Sequence, residues 1–146
     1  MKSKLLLAGI CMMLCAVFVP AVNVSAAEQE EKVAHITDEE FQGIEIQTIT
    51  SPIAVYATQY GLNWTVPKNI MYATDYFSKS KGSSINISVT LTKSCDVGIM
   101  SYEGGLRYLT GTSINHTFNI TKTDKYKVFI RNNNSSSVTS SGYYTR

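Results

Sequence analysis

Strict alternation of apolar and polar residues is the pattern that most constrains this chain. The stretch from Ile85 to Leu91 alternates without a break, and the stretches from Ile114 to Ile120 and from Tyr126 to Ile130 repeat the pattern. A period of two is typical of a strand with one buried face, whereas a helix needs apolar residues three and four positions apart. The pattern therefore predicts strands.

Turn-forming residues separate these strands at intervals of about ten residues. Gly104 and Gly105 predict a tight hairpin, because paired glycines accept the positive φ angles of primed turns. Further turns are predicted at 92–94 and 132–136, and a last strand runs from Val138 to Tyr144. With no convincing amphipathic helix, this organisation predicts an all-β fold, an antiparallel β-sandwich of about eight or nine strands. A barrel is the alternative that the alternation allows.

The N-terminus indicates where such a fold works. Lys2 and Lys4 precede an apolar run from Leu5 to Val19, and small residues follow up to Ala26. This order is typical of a secretory signal peptide, so residues 1–26 are predicted to be cleaved and the protein to be secreted and extracellular. The apolar run is shorter than the roughly 20 residues that span a bilayer, so no transmembrane anchor is expected.

Cysteine usage shows what must stabilise the exported chain. Cys95 is the only cysteine after the signal peptide, so no internal disulfide is expected and packing must hold the fold together. Cys95 alternates in phase with Val97 and Ile99, which predicts a buried, inert thiol rather than a reactive one. The roughly 120 residues that remain are enough for one domain with its own core.

Charge is divided along the chain. Residues 28–57 hold seven acidic residues and one lysine, whereas residues 58–146 hold ten Lys and Arg against four acidic residues. We predict that residues 27–43 are an acidic mobile arm and that residues 44–146 form the sandwich domain. The arm is interpreted either as a solvated leader or as a pro-segment that masks a cationic domain until it is cut away near Val55-Tyr56-Ala57.

Residues suited to catalysis are few. After the signal peptide there are two histidines, His35 in the acidic segment and His116 on a predicted apolar face, and no nucleophile, base and orienting group stand in a plausible arrangement. A dyad of Cys95 with His116 is the alternative to a packed, hydrogen-bonded histidine. No metal-binding spacing of His or Cys is present. We therefore predict a protein that is not an enzyme and has no metal and no cofactor. A calcium ion held by carboxylates near the predicted turns is the alternative.

The strand that begins at Tyr126 predicts a binding surface. If its apolar row faces the core, the intervening side chains face outward, and an aromatic ring between two cations suits contact with sugars or protein. Aromatic and basic residues of the last strand and of the hairpin complete this surface. The predicted ligand-binding residues are Lys127, Phe129, Arg131, Tyr143, Tyr102 and Arg107. The alternative is that the N-terminal arm or a neighbouring loop covers Phe129.

The end of the chain is similar to known proteins. From Ser84, strands and turns lead to the segment from Asp124 to Asn132, which an Asn- and Ser-rich turn and a final strand follow. This ending resembles that of small secreted Firmicute β-sandwich proteins of unknown function and, more loosely, bacterial pre-peptidase C-terminal and carbohydrate-binding sandwiches. The looser groups usually have glycine where this chain has Lys125. The resemblance implies a sandwich and carries no functional residue.

These observations together predict a secreted, non-enzymatic β-sandwich that binds extracellular carbohydrate, cell wall or a protein partner. Its partners are expected among cell-wall glycans, anionic surface polymers and secreted proteins. The basic residues are scattered rather than arranged in a stripe, so nucleic acid is not expected. The alternative is a secreted antibacterial or toxin-like effector whose acidic pro-segment neutralises a cationic domain.

Overall fold

The computed structural model describes residues 29–50, 54–56 and 58–146. The predicted signal peptide and Ala57, the last residue of the predicted cut region, lie outside the described residues. Within those residues, no helix has the length and apolar character needed to cross a membrane.

Strands and one short 3-10 helix make up the regular structure of the described chain. In chain order they are β1 (Lys32–His35), the 3-10 helix (Glu39–Phe41), β2 (Glu45–Ile49), β3 (Ala54–Tyr56), β4 (Gln59–Gly61), β5 (Thr65–Val66), β6 (Ile70–Thr74), β7 (Phe77–Lys79), β8 (Ser84–Ser101), β9 (Gly105–Asn119), β10 (Asp124–Arg131) and β11 (Val138–Thr145). The predicted all-β class is confirmed.

The arrangement of the strands differs from the predicted sandwich of eight or nine antiparallel strands. Eleven strands join one mixed sheet, in which β2 runs parallel to β6. The reason is the length of β8, whose one edge pairs with β9 from Ser84 to Met100. Its other edge pairs first with β11 and then with β10. Because both halves of the sheet share this strand, the sheet curls over its core, and the predicted sandwich of eight or nine antiparallel strands is not confirmed.

A local irregularity marks where β8 bends. The register between β8 and β9 shifts between Thr90 and Cys95, as at a β-bulge, which bends a strand without ending it. The turn predicted at 92–94 is therefore wrong, because the chain continues as one strand through those residues. The hairpin predicted at Gly104 is confirmed, and Gly104 adopts the left-handed conformation that a side chain disfavours, with φ of 93°.

The concave face of the sheet holds the main hydrophobic core. Alternation is confirmed along the first half of β8, where Ile85, Ile87, Val89 and Leu91 are buried in one cluster. Cys95 lies in the same cluster, and burial raises the pKa of its thiol to about 11. The thiol is therefore protonated at neutral pH and poorly nucleophilic, in agreement with its predicted inert role.

A second hydrophobic cluster covers part of the opposite face, which we call the outer face. The N-terminal segment 29–44, here named the strap, crosses this face and contributes buried or half-buried apolar side chains to it. The buried members of the cluster are Phe41, Met71, Ala73, Met100, Leu106, Tyr108 and Phe129. Gly98 makes room for this packing, since a Cβ at that position would lie 2.6 Å from the Cα of Tyr108.

The strap replaces the mobile arm that the sequence predicted for residues 27–43. β1 pairs antiparallel with β9, with Val33 opposite Arg107, and Phe41 is only 2% exposed. Acidic composition suggested mobility, but the apolar residues between the acids find a matching apolar surface and bury it. The described part of this segment is therefore integral to the sheet and its packing.

Candidate functional site

The outward-pointing side chains of β10 that were predicted to contact a ligand are buried. Lys127 is 8% exposed, Phe129 0% and Arg131 5%. These side chains do point away from the main core, as alternation requires, but the strap and its cluster seal most of that face. The expectation that the row is exposed is therefore wrong, and the alternative in which the N-terminal segment covers Phe129 describes the structure.

Arg131 fastens the strap. Its Nε donates a hydrogen bond to Asp96 at 2.7 Å, and its Nη1 donates to the backbone carbonyl of Glu40 at 2.8 Å. The guanidinium carbon lies 3.9 Å from the ring centre of Phe41. A buried arginine with an ion pair, a carbonyl and an aromatic face has its binding capacity used inside the protein.

Arg107 also contacts the strap, through Glu31. Its Nε lies 2.5 Å from one carboxylate oxygen of Glu31, and the Nε2 of His116 lies 2.9 Å from the other. Burial works against ionisation of Glu31, but the hydrogen bonds from Arg107 and His116 prevail and hold its pKa below the usual value. His116 is therefore a hydrogen-bonded, packed residue, with its ring edge-on to Phe118.

The remaining predicted ligand-binding residues lie apart from each other. Tyr143 is half-buried on β11, which β8 separates from β10 in the sheet. Tyr102 is 64% exposed at the turn between β8 and β9. The structure thus does not assemble the six predicted residues into one surface, and of the two tyrosines only Tyr102 is highly exposed.

Two exposed tyrosines lie where the strap ends its cover of the outer face. The rings of Tyr76 and Tyr102 meet edge-to-face, with centres 5.3 Å apart and planes at 67°. The Nζ of Lys127 lies 4.6 Å from the ring centre of Tyr76, and the Nζ of Lys125 lies 5.9 Å from that of Tyr102. We call Tyr76, Tyr102, Lys125 and Lys127 the tyrosine patch.

Backbone contacts hold the patch in place. The amide of Tyr102 donates to the carbonyl of Lys125 at 2.9 Å, which ties the hairpin turn to β10. The ring Nε2 of His35 lies 2.9 Å from the carbonyl of Glu103 and so ties the strap to the same turn. Tyr76 directly precedes β7, which pairs antiparallel with β10. Neighbouring strands therefore position both rings.

Tyr76 and Lys125 were missed by reasoning from the sequence. Alternation along β10 places Lys125 on the same face as Lys127, so that residue was within reach of the pattern. Tyr76 was not, because its place beside Lys127 depends on the pairing of β7 with β10. Non-local pairing of this kind leaves no local signal.

A small cavity opens on the inner side of the same turn. Its volume is about 210 Å³, and Ser101, Arg107 and Tyr126 contribute to its wall. Glu103 and Lys122, also on the wall, neutralise each other at 3.0 Å. Drug-sized ligands occupy pockets of roughly 300–1,000 Å³, so this cavity suits at most a small molecule. In the described part of the chain, no three His, Cys, Asp or Glu residues group as metal ligands.

Comparisons with known proteins add little to this geometry. No protein-family model matches the chain, and no curated protein matches it. Among solved structures, the chain is similar to PliG of Aeromonas hydrophila, a periplasmic lysozyme inhibitor of g-type lysozyme. That similarity has a TM-score of 0.44 and 11% sequence identity, and it covers 69% of this chain and 96% of that chain.

Proposed function

We propose that this chain is an exported, non-catalytic domain that binds another protein through the tyrosine patch. The observation that carries the proposal is the exposure of Tyr76 and Tyr102 at 38% and 64% on a face that the strap covers for the most part. Tyrosine supplies a large contact area with few rotatable bonds and dominates many protein interfaces. A fold that covers Phe129 completely yet leaves these two rings partly exposed keeps them available for contact at its surface.

The geometry of the rings favours a protein over a sugar as the partner. Stacking of a sugar needs an open, flat aromatic face. Here the ammonium of Lys127 lies over Tyr76, and the two rings stand steeply to each other. Ring edges, phenol hydroxyls and an ammonium together match the mixed apolar and polar character of a protein contact. Cell-wall glycan and anionic polymer remain predictions, and photo-crosslinking distinguishes them from a protein partner.

Site-specific photo-crosslinking on the native cell surface tests the proposal. A benzophenone amino acid replaces Tyr102 in the full chain, and a matched control carries it at Asn115, which is exposed on β9. We expect a defined, protease-sensitive adduct from position 102 that position 115 does not form. An adduct that proteases leave intact but glycosidases remove indicates a glycan partner and contradicts the proposal. Equal labelling from both positions, or none from position 102, also contradicts it.

A further inference from the structure

The second half of β9 has a strand edge that no described strand covers. One edge of β9 pairs with β8 along almost its whole length. The other edge pairs with β1, and that ladder ends at Tyr108. Within the described residues, no strand pairs with this edge between Leu109 and Asn119. The strap therefore covers only the first part of the outer edge of β9.

Backbone hydrogen bonds show which groups point out of the sheet at this edge. The amide of Ile120 donates to the carbonyl of Ser83, on the side of β8, at 2.8 Å. The carbonyl of Asn119 belongs to the same peptide unit and points the opposite way, where the Nη1 of Arg107 donates to it at 2.6 Å. In an antiparallel strand, every second residue directs its N–H and its C=O to the same side. The residues two, four and six positions before Asn119 therefore also point away from β8.

These outward-pointing residues are Ser113, Asn115 and Thr117. All three are exposed and lie in the part of β9 whose register with β8 is regular. Their backbone N–H and C=O groups have no hydrogen-bond partner in the described part of the chain. A row of such groups is a template for another strand, and folded proteins usually protect it with charges, proline or a short strand length.

The sequence protects other edge strands of the sheet but not this one. β1 is four residues long and includes Lys32, β2 is five residues long and includes Glu45, and β3 is three residues long. By contrast, residues 109–119 contain no Lys, Arg, Asp, Glu or Pro. Glu31 and Arg107, which lie beside this edge, neutralise each other. The edge is thus open to pairing and free of charge that would repel an identical edge.

We infer that the edge at 113–119 pairs with the same edge of a second copy of this chain, antiparallel and about a two-fold axis at Asn115. Across such an axis each residue meets the identical strand, so a charged edge would face its own charge. Here Asn115 faces its own copy and Ser113 faces Thr117 of the second copy, and hydroxyl pairs of this kind are favourable across strands. The outward groups of the three residues exchange about six backbone hydrogen bonds.

This inference does not depend on the proposed function. No residue of the tyrosine patch lies on β9, since the patch is formed by β10, the residue before β7 and the turn between β8 and β9. A contact made by a single pair of strands is small, so we expect a weak dimer that forms at high protein concentration.

Sedimentation equilibrium of the purified chain over a wide range of concentration tests the inference. We expect a monomer–dimer equilibrium without larger species, because a two-fold contact uses the free edge of both copies. Asn115→Lys places an ammonium opposite its own copy and is expected to weaken dimerisation at least about tenfold, which corresponds to about 1.4 kcal/mol. Thr139→Lys is the matched control, since Thr139 is exposed on β11, on the other side of β8. This control should leave dimerisation unchanged.

A mixture of two variants separates loss of pairing from loss of fold. Asn115→Lys and Asn115→Asp are each expected to weaken the dimer when measured alone. The equimolar mixture should restore it, because opposite charges then meet at the axis. If the parent dimerises and the mixture does not recover, the axis lies elsewhere and the inference is wrong.

Hydrogen exchange identifies the edge itself. The outward amides of Ser113, Asn115 and Thr117 are expected to exchange slowly at high protein concentration and rapidly on dilution, because only the dimer gives them an acceptor. Slow exchange that persists at the lowest concentration means that another segment of the same chain occupies the edge, and that result overturns the inference.

Three further results overturn the inference. They are a parent that stays monomeric at every concentration, a dimer that Asn115→Lys leaves unchanged, and an equal loss with Thr139→Lys. Benzophenone at position 115, the control for the tyrosine patch, gives an independent check on the occupant. It should join two copies of this chain in an adduct of twice the chain mass, which differs from the adduct of position 102. A different protein in the adduct of position 115 contradicts the second copy.

Discussion

The outer face of β10 has two parts, one that the strap covers and one that it leaves exposed. Phe129 and Lys125 lie on the same face of the same strand, four residues apart, yet Phe129 is fully buried and Lys125 is exposed. The strap crosses the sheet above Phe129 and ends its cover near Gly104, where the amide of Ile36 donates to the Gly104 carbonyl. Position on a face therefore does not determine exposure. The reach of a segment distant in sequence determines it.

The same comparison explains the divided charge of the chain. Acidic groups of the strap contact polar groups of the basic body: Glu31 contacts Arg107 and His116, and Glu40 accepts a hydrogen bond from the Tyr108 hydroxyl. Burial and the neighbouring Glu40 raise the pKa of Tyr108 to about 12. Complementary charges thus help to hold the strap on the sheet. The acidic side chains of the strap do not contact the two lysines of the tyrosine patch.

Removal of the strap is expected to have the largest effect. A chain that starts at Glu45 loses β1 and Phe41 and uncovers the second hydrophobic cluster. Loss of one buried phenylalanine costs about 3–5 kcal/mol, and whole domains are stable by only about 5–15 kcal/mol. We expect the truncated chain to lose cooperative thermal unfolding and to bind the dye ANS. A product that keeps the midpoint of the parent contradicts an integral strap and supports a disposable pro-segment.

A pair of substitutions compares the covered and the uncovered aromatic residues directly. Phe129→Ala is expected to lower the free energy of unfolding by about 3–5 kcal/mol, because it leaves a cavity in a sealed cluster. Tyr102→Ala removes a ring that is mostly in water, so its effect is expected within about 0.5 kcal/mol. Urea denaturation of both variants measures this difference. Equal losses in the free energy of unfolding would mean that the covered and uncovered parts of the face are packed alike, which contradicts the comparison.

Two glycine positions test how tightly the part of the sheet under the strap is packed. Gly98→Ala places a Cβ against the backbone of β9 at Arg107 and Tyr108, which cannot move without breaking the ladder. We expect a loss of about 1–3 kcal/mol. At Gly111 the same change meets chiefly the far end of the Gln29 side chain, which can rotate away. Urea denaturation should therefore show a much smaller loss of stability for Gly111→Ala than for Gly98→Ala. The reversed order contradicts this packing of Gly98 against β9.

Substitution of Glu31 is expected to have the smallest effect on stability, and this effect depends on pH. Its pKa in the folded protein is lowered from the usual 4.5, so its contribution to stability is complete above that value and is lost as the pH falls through the folded pKa. Glu31→Gln should cost about 1 kcal/mol at pH 7, because the ion pair is partly exposed. Thermal midpoints of both proteins between pH 7 and pH 3 should converge at acidic pH. A constant difference contradicts this role.

Much of the inner half of this protein could be predicted from local sequence. The alternation from Ile85 to Leu91 predicted the buried row of β8, the phase of Cys95 predicted an enclosed thiol, and the glycines at 104 and 105 predicted the turn that carries Tyr102. These predictions succeeded because side-chain period and glycine conformation are properties of a few neighbouring residues. The same period predicted which side chains of β10 point away from the core.

Tertiary structure decided which of those outward side chains meet solvent. The strap seals Phe129 and Arg131, and β7 brings Tyr76 beside Lys127. Each of these contacts joins segments far apart in the chain. The strap packs because burial of matching apolar surfaces outweighs the solvation of its acidic residues, and β7 is held by its pairing with β10. The amino-acid sequence by itself thus determined the strands and their two faces. The assembled sheet determined the surface, because exposure depends on which distant segment reaches a face.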